Sequence, residues 1–582
     1  MKHLIFIFLT SLIFCTAISK SNALPLKDID SDFEAMQEKF ISEYLDLNPQ
    51  YATSLGFHQY DGKISDNSLA SINEEIAWYE SYKQRLSEID PSSLNKENYI
   101  GYKILWNEVN QSLFNLIERK SYANNPMGYA GTIDVNIYIS RDFAPIEDRV
   151  RSIIEIEKNA PKIFEQARTN LNDVLPKPYV ELAINIARGN ADFLGKDLIE
   201  ALKDVNNEAL MNEFNTVNQN AIKELNEYAG YLEKEKLPKA DDSYHLGRDK
   251  YAKMLEGEMI TLSPEKILEI GMEELKLEQR MFEETAKKID PTKKAIDVFN
   301  ELKKEHPTAE GLIPDTKKNL EAIRQFLIDK NIVTVPSDVR AIVKETPQYA
   351  RATSFASMDT PGPFEKSTQA YYYVTPVEDS WSEKQKEEWL TAFNYYTTDV
   401  VSIHEAYPGH YIQFLHLNAS PVTKLQKIFG SYAFAEGWAH YTEKMMIDEG
   451  FGKDKSDMTA AKYKLAQLDE SLLRLCRLCV SVKMHCEGMN VDDATKFFTD
   501  NCYYEEQPAH SEAMRGTYDP GYLYYTLGKL MLLKLRDDYK IQEGENYSLK
   551  KFHDAVLENG SPAVPLLREI ILDNKGKKKE IL

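Results

Sequence analysis

Apolar residues recur at three- and four-residue intervals from Ser31 to about Glu235, and this spacing predicts a series of amphipathic helices. A second helical block begins at Ser263-Pro264, where Ser can cap the helix and Pro suits its first position, and it continues to about Lys288. Turn signals divide the blocks at Asn48-Pro49, Asp90-Pro91, Asn125-Pro126, Leu175-Pro176 and Asp290-Pro291. The predicted fold class is therefore mainly α.

The periodicity changes between Asn331 and Asp379. Two short segments there, Ile332–Val335 and Tyr371–Thr375, are rich in β-branched and aromatic residues and predict a small sheet or ribbon. No other part of the chain is as rich in strand-forming residues. The free edge of such a sheet can bind an extended peptide by strand addition. The alternative is a structural hairpin that only braces the helices.

Helical periodicity resumes after the sheet and continues towards the C-terminus. One helix is expected to run without a break from Ser382 to His404, and another from Gly430-Ser431 to about Asp448. Further helices are predicted over Lys455–Cys486, Asp492–Asn501 and Leu523–Tyr539. A chain of 582 residues exceeds the usual single core, so two lobes are expected, approximately residues 24–330 and 331–582.

The first 23 residues have the features of a secretory signal peptide. Lys2 precedes an apolar run from Leu4 to Cys15, and Ser21-Asn22-Ala23 supplies small residues for cleavage. The run is too short to be a good membrane span, and no other long apolar run follows. We therefore expect an exported protein, periplasmic or extracellular, with no transmembrane segment in the mature chain. Lipid attachment through Cys15 is the weaker alternative because the bulky Phe14 precedes it.

The composition limits the partners. A formal net charge of −22 argues against a nucleic-acid partner, since phosphate binding needs a basic surface. Cys476 and Cys479 lie in an apolar helical pattern without a second cysteine pair, so buried thiols are favoured over a zinc or redox site. A disulfide among Cys476, Cys479, Cys486 and Cys502 stays open in an oxidising compartment. The oligomeric state is not determined by the sequence.

The candidate chemistry is concentrated in the segment His404-Glu405-Ala406-Tyr407-Pro408-Gly409-His410. Its two imidazoles, together with Glu436, supply the three ligands of a catalytic zinc site, one Zn²⁺ per chain. A regular metalloprotease helix separates its two His by four positions, whereas six separate these. Six steps on an ideal helix leave two side chains roughly 120° apart. Pro408-Gly409 must therefore deform the helix, for example as a bulge, if both imidazoles share an ion.

The segment around Glu436 supplies supporting groups. Glu436, His440 and Glu443 recur at positions i, i+4 and i+7, which is one face of a helix. We assign Glu436 to the metal, and Glu443 with His440 to the layer that orients a ligand imidazole. The alternative is a solvated acidic helix face, which the neighbouring Trp438 and Tyr441 argue against.

The motifs His404–Gln413 and Glu436-Gly437-Trp438-Ala439 resemble the signatures of the DUF885 proteins, a family regarded as metallopeptidase-like. Weaker matches extend over the mature chain, at Asn48-Pro49, Leu246-Gly247-Arg248, Thr360-Pro361-Gly362 and in the segment from Arg515 to Lys529. This chain has Tyr522 where many relatives have Gln, and Ser481 where many have Asp. The resemblance implies a mostly helical fold with a deep cleft, similar to the helical zinc carboxydipeptidases and oligopeptidases.

The predicted function is that of a secreted or periplasmic zinc peptidase acting on short peptides. Glu405 is expected to take a proton from the metal-activated water and pass it to the leaving amine. Tyr525 or His485 is the candidate donor to the tetrahedral oxyanion. Arg515 is the candidate clamp for a substrate carboxylate, with a structural ion pair to Glu512 as the alternative.

Tyr522 and Tyr373 complete the candidate substrate-binding residues. Cleavage of the exopeptidase or oligopeptidase type follows from the likeness to cleft peptidases, because a long helical cleft excludes folded proteins. Two other functions stay open: metal-dependent hydrolysis of another small amide, and non-catalytic peptide binding on the same fold. Glu405 and all three proposed ligands are present in the chain, which favours an enzyme over a binding protein.

Overall fold

The computed structural model describes residues 29–347, 351, 354–572 and 581–582. The predicted signal peptide, residues 1–23 with Cys15, lies outside these ranges. The described part is mainly helical and contains one small sheet, which confirms the predicted fold class. Within these ranges, no helix combines the length and the apolar character that a membrane crossing needs.

Sixteen α-helices precede the sheet in the described part of the chain. They are α1 (Ile29–Leu47), α2 (Pro49–Leu55), α3 (Leu69–Ser87), α4 (Lys96–Leu113), α5 (Ser121–Asn124), α6 (Pro126–Ala130), α7 (Ile137–Ser140), α8 (Ile146–Glu157), α9 (Ala160–Asn170), α10 (Lys177–Gly195), α11 (Asp197–Leu202), α12 (Glu208–Tyr231), α13 (Arg248–Glu256), α14 (Pro264–Ile289), α15 (Ala295–Leu302) and α16 (Leu312–Asp329). The Ser263 hydroxyl accepts a hydrogen bond from the Lys266 amide at 3.2 Å, so α14 begins at the predicted cap.

The remaining helices follow the sheet. They are α17 (Glu383–Ala392), α18 (Tyr395–Glu405), α19 (His410–Ala419), α20 (Lys424–Ile428), α21 (Tyr432–Asp448), α22 (Asp457–Glu487), α23 (Val491–Cys502), α24 (Glu506–Tyr518), α25 (Tyr524–Glu543), α26 (Leu549–Leu557) and α27 (Val564–Ile571). The predicted long helix from Ser382 to His404 is wrong, because it divides into α17 and α18. Asn394 separates them: its side chain accepts a hydrogen bond from the Thr397 amide at 3.0 Å and caps α18.

The sheet lies immediately before the helices that carry the candidate site. Its strands are β1 (Ile342–Glu345), β2 (Ala356–Asp359) and β3 (Tyr371–Val374), in the order β1-β3-β2. Strand β1 is parallel and β2 antiparallel to the central β3, so β2 is an edge strand. The strand predicted at Ile332–Val335 is wrong: Ile332 and Val333 are buried, but in irregular backbone.

The buried side chains form three clusters. One involves mainly α1–α4, a second lies between residues 129 and 232, and the largest consists mainly of residues from 244 to the C-terminal helices. Helix α14 packs along α22, and α21 packs against α25. Because α14 already belongs to the largest cluster, the predicted lobe boundary near residue 330 does not coincide with a division of the core; the two-lobe arrangement and the deep cleft stay predictions.

Two glycines allow α21 and α25 to touch. A Cβ atom on Gly437 would lie 2.5 Å from the Gly528 Cα atom, and a Cβ on Gly528 would lie 1.9 Å from the Ala433 carbonyl oxygen. Neither distance is tolerable, so only glycine permits this approach of the two backbones. The crossing brings the beginning of α25, with Tyr525, beside the helix that carries Glu436.

Candidate metal centre

The helix that carries His404 ends at Glu405, and a new helix begins at His410. The four intervening residues are not helical, and the Tyr407–Pro408 peptide bond is cis. The Gly409 amide donates to the Ile403 carbonyl at 3.0 Å, which turns the chain back onto the preceding helix. A Cβ on Gly409 would lie 1.6 Å from the His404 carbonyl oxygen, so this return requires glycine. The predicted deformation is thus a complete break between two helices.

Trp438 holds this break against α21. Its indole Nε1 donates to the Pro408 carbonyl oxygen at 2.9 Å, and the side chain is fully buried. Trp438 lies two residues after Glu436, so one helix supplies both the third candidate ligand and the contact that positions the break. The segment around Glu436 therefore also positions the break between His404 and His410.

The structure brings His404, His410 and Glu436 together. Glu436 Oε2 lies 3.4 Å from His404 Nε2 and 3.5 Å from His410 Nε2. One ligand atom from each of the three residues lies within 4.8 Å of the others. Ligand atoms about 2.0–2.2 Å from a zinc ion at tetrahedral angles are about 3.3–3.6 Å apart. The Glu436–imidazole distances therefore fit a shared zinc ion.

One carboxylate oxygen of this group lacks a hydrogen-bond partner among the described residues. Glu436 Oε2 is buried and accepts no hydrogen bond from the described residues. Burial opposes ionisation of Glu436, but His410 and His404 hold its pKa well below the usual range. Burial also opposes protonation of His404, yet the Glu436 and Glu443 carboxylates outweigh it and raise the pKa of His404 to about 9. The site thus favours a positive charge between its carboxylates, as a metal ion would supply.

A second carboxylate orients the first imidazole. Glu443 Oε1 lies 2.7 Å from His404 Nδ1, and Glu443 Oε2 lies 3.0 Å from His440 Nδ1. Glu443 is fully buried, and Arg474 Nη2 lies 3.4 Å from its Oε1 atom. Burial opposes ionisation of Glu443, but Arg474 and then His440 hold its pKa well below the usual range. With Nδ1 directed to a carboxylate, His404 presents Nε2 to the metal position.

The supporting layer continues inward through His440. Burial, and then the field of Lys529, lower the pKa of His440 to about 3, so its imidazole is neutral. Lys529 is itself buried, 3.1 Å from Glu278 Oε1 and 2.7 Å from Ser471 Oγ. Glu443 thus contacts the His404 imidazole directly, His440 contacts Glu443, and a buried ion pair lies behind them.

Glu405 is the last residue of α18 and follows the candidate ligand His404 in the chain. Its Oε2 atom accepts a hydrogen bond from the Met358 amide at 3.1 Å, and Met358 belongs to the edge strand β2. The Thr375 amide donates to the Phe355 carbonyl at 3.0 Å, so the backbone N–H and C=O groups of every second residue in β2 are directed to β3. By this alternation the backbone groups of Met358 are directed away from β3. The free edge of β2 therefore lies beside the proposed base.

Tyr525 also borders the site. Its ring is 6.3 Å from the His404 ring and nearly parallel to it, at 16°. Burial and the Glu436 carboxylate raise the pKa of Tyr525, while Arg477 and Arg515 oppose that rise. Its phenol thus lies between a candidate metal ligand and two guanidinium groups, and it is protonated at neutral pH.

His485 and Tyr522 are placed away from these groups. His485 is 1% exposed, its Nε2 lies 2.8 Å from the Gly516 carbonyl oxygen, and burial lowers its pKa to about 4. Tyr522 is 0% exposed, and its hydroxyl, against Gly516, finds no hydrogen-bond partner among the described residues. Neither contacts the three candidate ligands in the described part of the chain. Both belong to the packing between α22 and α24.

The other two candidates for substrate contacts are nearer the surface. Tyr373 on β3 stacks on Tyr371 at 5.9 Å and is paired in register with Ser357 of the edge strand. Arg515 donates to one oxygen of Asp519, from Nε at 3.0 Å and from Nη2 at 2.9 Å. The expected alternative for Arg515 was an ion pair with Glu512. That pairing is wrong, because Glu512 binds Arg477 instead.

Sequence reasoning missed the Met358 amide and the two arginines of α22. Arg474 and Arg477 stand three residues apart in an otherwise apolar run, and charged residues in such a run signal buried ion pairs. The Met358 amide left no signal, because a backbone donor can be assigned only once its strand is known. Cys476 and Cys479 are buried free thiols on α22, as predicted.

Fold and site together define a helical protein whose candidate metal centre combines two imidazoles with one carboxylate. The chain belongs to the DUF885 family, described as "Bacterial protein of unknown function", which matches residues 49–571. A "putative lipoprotein of unknown function" from Shewanella oneidensis is similar in structure, with 26% identity and a TM-score of 0.77, over 93% of this chain and 100% of that chain.

A "putative lipoprotein" from Colwellia psychrerythraea shares the fold, with 19% identity and a TM-score of 0.77, over 93% of this chain and 98% of that chain. No curated protein matches this chain. The family and both solved structures therefore support the fold and leave the activity to be argued from the site.

Proposed function

We propose that this protein is a zinc-dependent peptidase that hydrolyses peptide bonds in short peptides. The observation that carries the proposal is the convergence of His404, His410 and Glu436, with Glu405 next to His404 in the chain. A zinc ion held there would supply Lewis-acid polarisation and lower the pKa of water. Two imidazoles and one carboxylate form a three-ligand set that leaves a position open for chemistry.

Glu405 is the proposed general base. It adjoins the ligand His404 in the chain, and the Met358 amide fixes its orientation through a 3.1 Å hydrogen bond. In this role Glu405 takes a proton from the attacking water and returns it to the leaving amine. Tyr525, beside His404, is the better-placed of the two predicted oxyanion donors, because His485 is packed elsewhere.

The edge of β2 supports a peptide as the substrate. The Met358 amide on this edge is taken by Glu405, and an extended peptide can pair with the other outward-directed backbone groups of β2, next to the proposed base. Main-chain pairing gives affinity without requiring particular side chains. This favours peptides over amides that lack an extended backbone.

Export is part of the proposal. Two structurally similar proteins are described as "putative lipoprotein", and the N-terminal segment has the composition of a secretory signal. We place the protein outside the cytoplasm, in the periplasm or beyond it.

The test combines metal content with hydrolysis. The purified protein should bind one zinc ion per chain, cleave unblocked peptides of two to ten residues, and lose activity with a chelator. Glu405→Gln should retain zinc but lose about 10²–10⁴-fold in kcat. Glu388→Gln, on an exposed part of α17, is the matched control and should behave as the wild type. Hydrolysis that survives Glu405→Gln would refute the assignment of the base.

A further inference from the structure

Three arginines surround one aromatic ring at the edge of the candidate metal centre. The guanidinium carbons of Arg474, Arg477 and Arg515 lie 5.9, 5.3 and 5.8 Å from the centre of the Tyr525 ring. That ring is in turn 6.3 Å from the ring of His404. The partners of each guanidinium group decide whether any of this positive charge is available to a substrate.

Two of the three are neutralised within the protein. Arg474 donates to Glu470 at 2.6 Å and lies 3.4 Å from Glu443. Arg477 binds both carboxylate oxygens of Glu512, at 2.8 Å each. Both arginine side chains are only 9% exposed. Their charges are matched by buried or partly buried carboxylates, so they serve the packing around Tyr525.

Arg515 differs from them in exposure and in its partner. Its side chain is 29% exposed, and it shares a single oxygen of Asp519 between two of its five N–H donors. Its Nη2 atom donates to the Tyr432 hydroxyl at 3.5 Å, and that hydroxyl in turn donates to Asp519 Oδ2 at 3.4 Å. The Tyr432 ring is 5.9 Å from the Tyr525 ring, so two phenols and one accessible guanidinium converge on the same side of the centre.

We propose that Arg515 binds the free C-terminal carboxylate of the peptide substrate. This inference rests on the proposed peptidase function and narrows its substrates to peptides cleaved close to a free C-terminus. A guanidinium fork recognises a carboxylate through paired, charge-assisted hydrogen bonds. Asp519 and the Tyr432 hydroxyl accept from the Nε and Nη2 side of the fork and hold it in position, so the substrate carboxylate would be met by Nη1.

The distances set how far from the C-terminus cleavage falls. His404 and Arg515 lie against the same Tyr525 ring, 6.3 and 5.8 Å from its centre. An extended peptide advances about 3.3 Å per residue, so no more than about three residues fit between the two groups. The expected products are therefore single residues or very short peptides released from the C-terminal end.

The decisive experiment compares peptides of one sequence with a free or an amidated C-terminus. For the zinc-loaded wild type, amidation should lower kcat/KM about 10–100-fold, the value of a charge-assisted bond pair. Arg515→Gln should bring the ratio of kcat/KM for the free acid to kcat/KM for the amide close to one. Arg515→Lys should retain part of the preference for the free acid. Arg188→Gln is the control: Arg188 is an exposed residue of α10 that pairs with Glu233, and its substitution should leave this ratio unchanged.

A binding measurement separates this inference from the chemistry. Glu405→Gln should bind the free acid at least about 10-fold more tightly than the amide, and adding Arg515→Gln should remove that preference. Equal cleavage and equal binding of acid and amide by the wild type would overturn the inference while leaving the peptidase proposal intact. No cleavage and no binding of any peptide would overturn both. Zinc content and thermal melts of each variant show whether it is folded.

Discussion

The backbone of Gly409 lies directly against the carbonyl oxygen of His404, so that a Cβ at position 409 would come within 1.6 Å of that oxygen. The same contact returns the chain to α18 through the bond from the Gly409 amide to the Ile403 carbonyl. The six-residue spacing of the two histidines is thus accommodated by a helix break that only a glycine can complete.

Gly409→Ala should therefore remove the metal site. The added methyl group must displace either the break or the His404 carbonyl, at a cost on the order of 3 kcal/mol. We expect at least about a 10–100-fold loss of zinc affinity, measured by competition with a chromogenic chelator. Gly430→Ala is the matched control, because its Cβ would meet only Ser561, at an ordinary 3.5 Å. Unchanged zinc affinity in Gly409→Ala would show that the break does not position His410.

The candidate ligands were predictable from sequence because their chemistry is local. The residue types and spacing of His404, Glu405 and His410 indicate a metal and demand a deformed helix. The form of that deformation was not predictable, because it depends on a contact from 30 positions away, between Trp438 and the Pro408 carbonyl. A bulge and a break satisfy the same local sequence, and tertiary packing selects between them.

Glu443→Gln should weaken zinc binding without removing any proposed ligand. The two oxygens of the Glu443 carboxylate accept hydrogen bonds from the imidazoles of His404 and His440, and one of them lies near Arg474. A glutamine amide has only one acceptor oxygen, so its NH₂ group would face one of these donors. Loss of such an orienting carboxylate typically lowers metal affinity by about 10–100-fold, and we expect a loss of about that size for Glu443→Gln. Asp448→Asn is the control on the same helix, since Asp448 is exposed and forms its ion pair with Lys444. An affinity equal to that of the control would argue against an orienting role.

Met358→Pro should impair hydrolysis because it removes the backbone N–H group that donates to Glu405. Proline removes the amide that donates to Glu405, but that amide is directed away from β3 and contributes nothing to the strand pairing. We expect kcat to fall about 10–100-fold, with zinc content unchanged. Met358→Leu retains the amide and a side chain of similar size. If both variants lose activity equally, the side chain rather than the amide is responsible.

Strand β2 itself could not be predicted, and the reason is visible in its residues. Ala356-Ser357-Met358-Asp359 has little β propensity, and only pairing with the aromatic β3 makes it a strand. The opposite error occurred at Ile332–Val335. There the Thr334 amide donates to Asp554 and its carbonyl accepts from His416, so side chains replace the ladder that a strand would need. Composition indicated burial correctly in that segment but not the backbone conformation.

Glu258 links stability to pH through the N-terminus of α21. Its carboxylate accepts hydrogen bonds from the Ser431 hydroxyl and the Tyr432 amide, and so caps the helix that carries Glu436. Burial raises the pKa of Glu258 from 4.5 to about 7, although the Ser431 hydroxyl and the Tyr432 and Ala433 amides oppose that rise. The folded protein therefore binds this proton more tightly than the unfolded chain does.

The stability that Glu258 contributes is accordingly present below about pH 4.5 and lost as the pH rises through about 7. Relative to Glu258→Gln, which cannot titrate, the wild type should lose on the order of 2 kcal/mol between about pH 5 and about pH 8. Thermal melts of both proteins across this range measure the difference. Glu256→Gln, an exposed neighbour on α13, should follow the wild type at every pH. Parallel curves for the wild type and Glu258→Gln would mean that the cap carries the same charge in the folded and unfolded states, and the link between this carboxylate and α21 would then be structural alone.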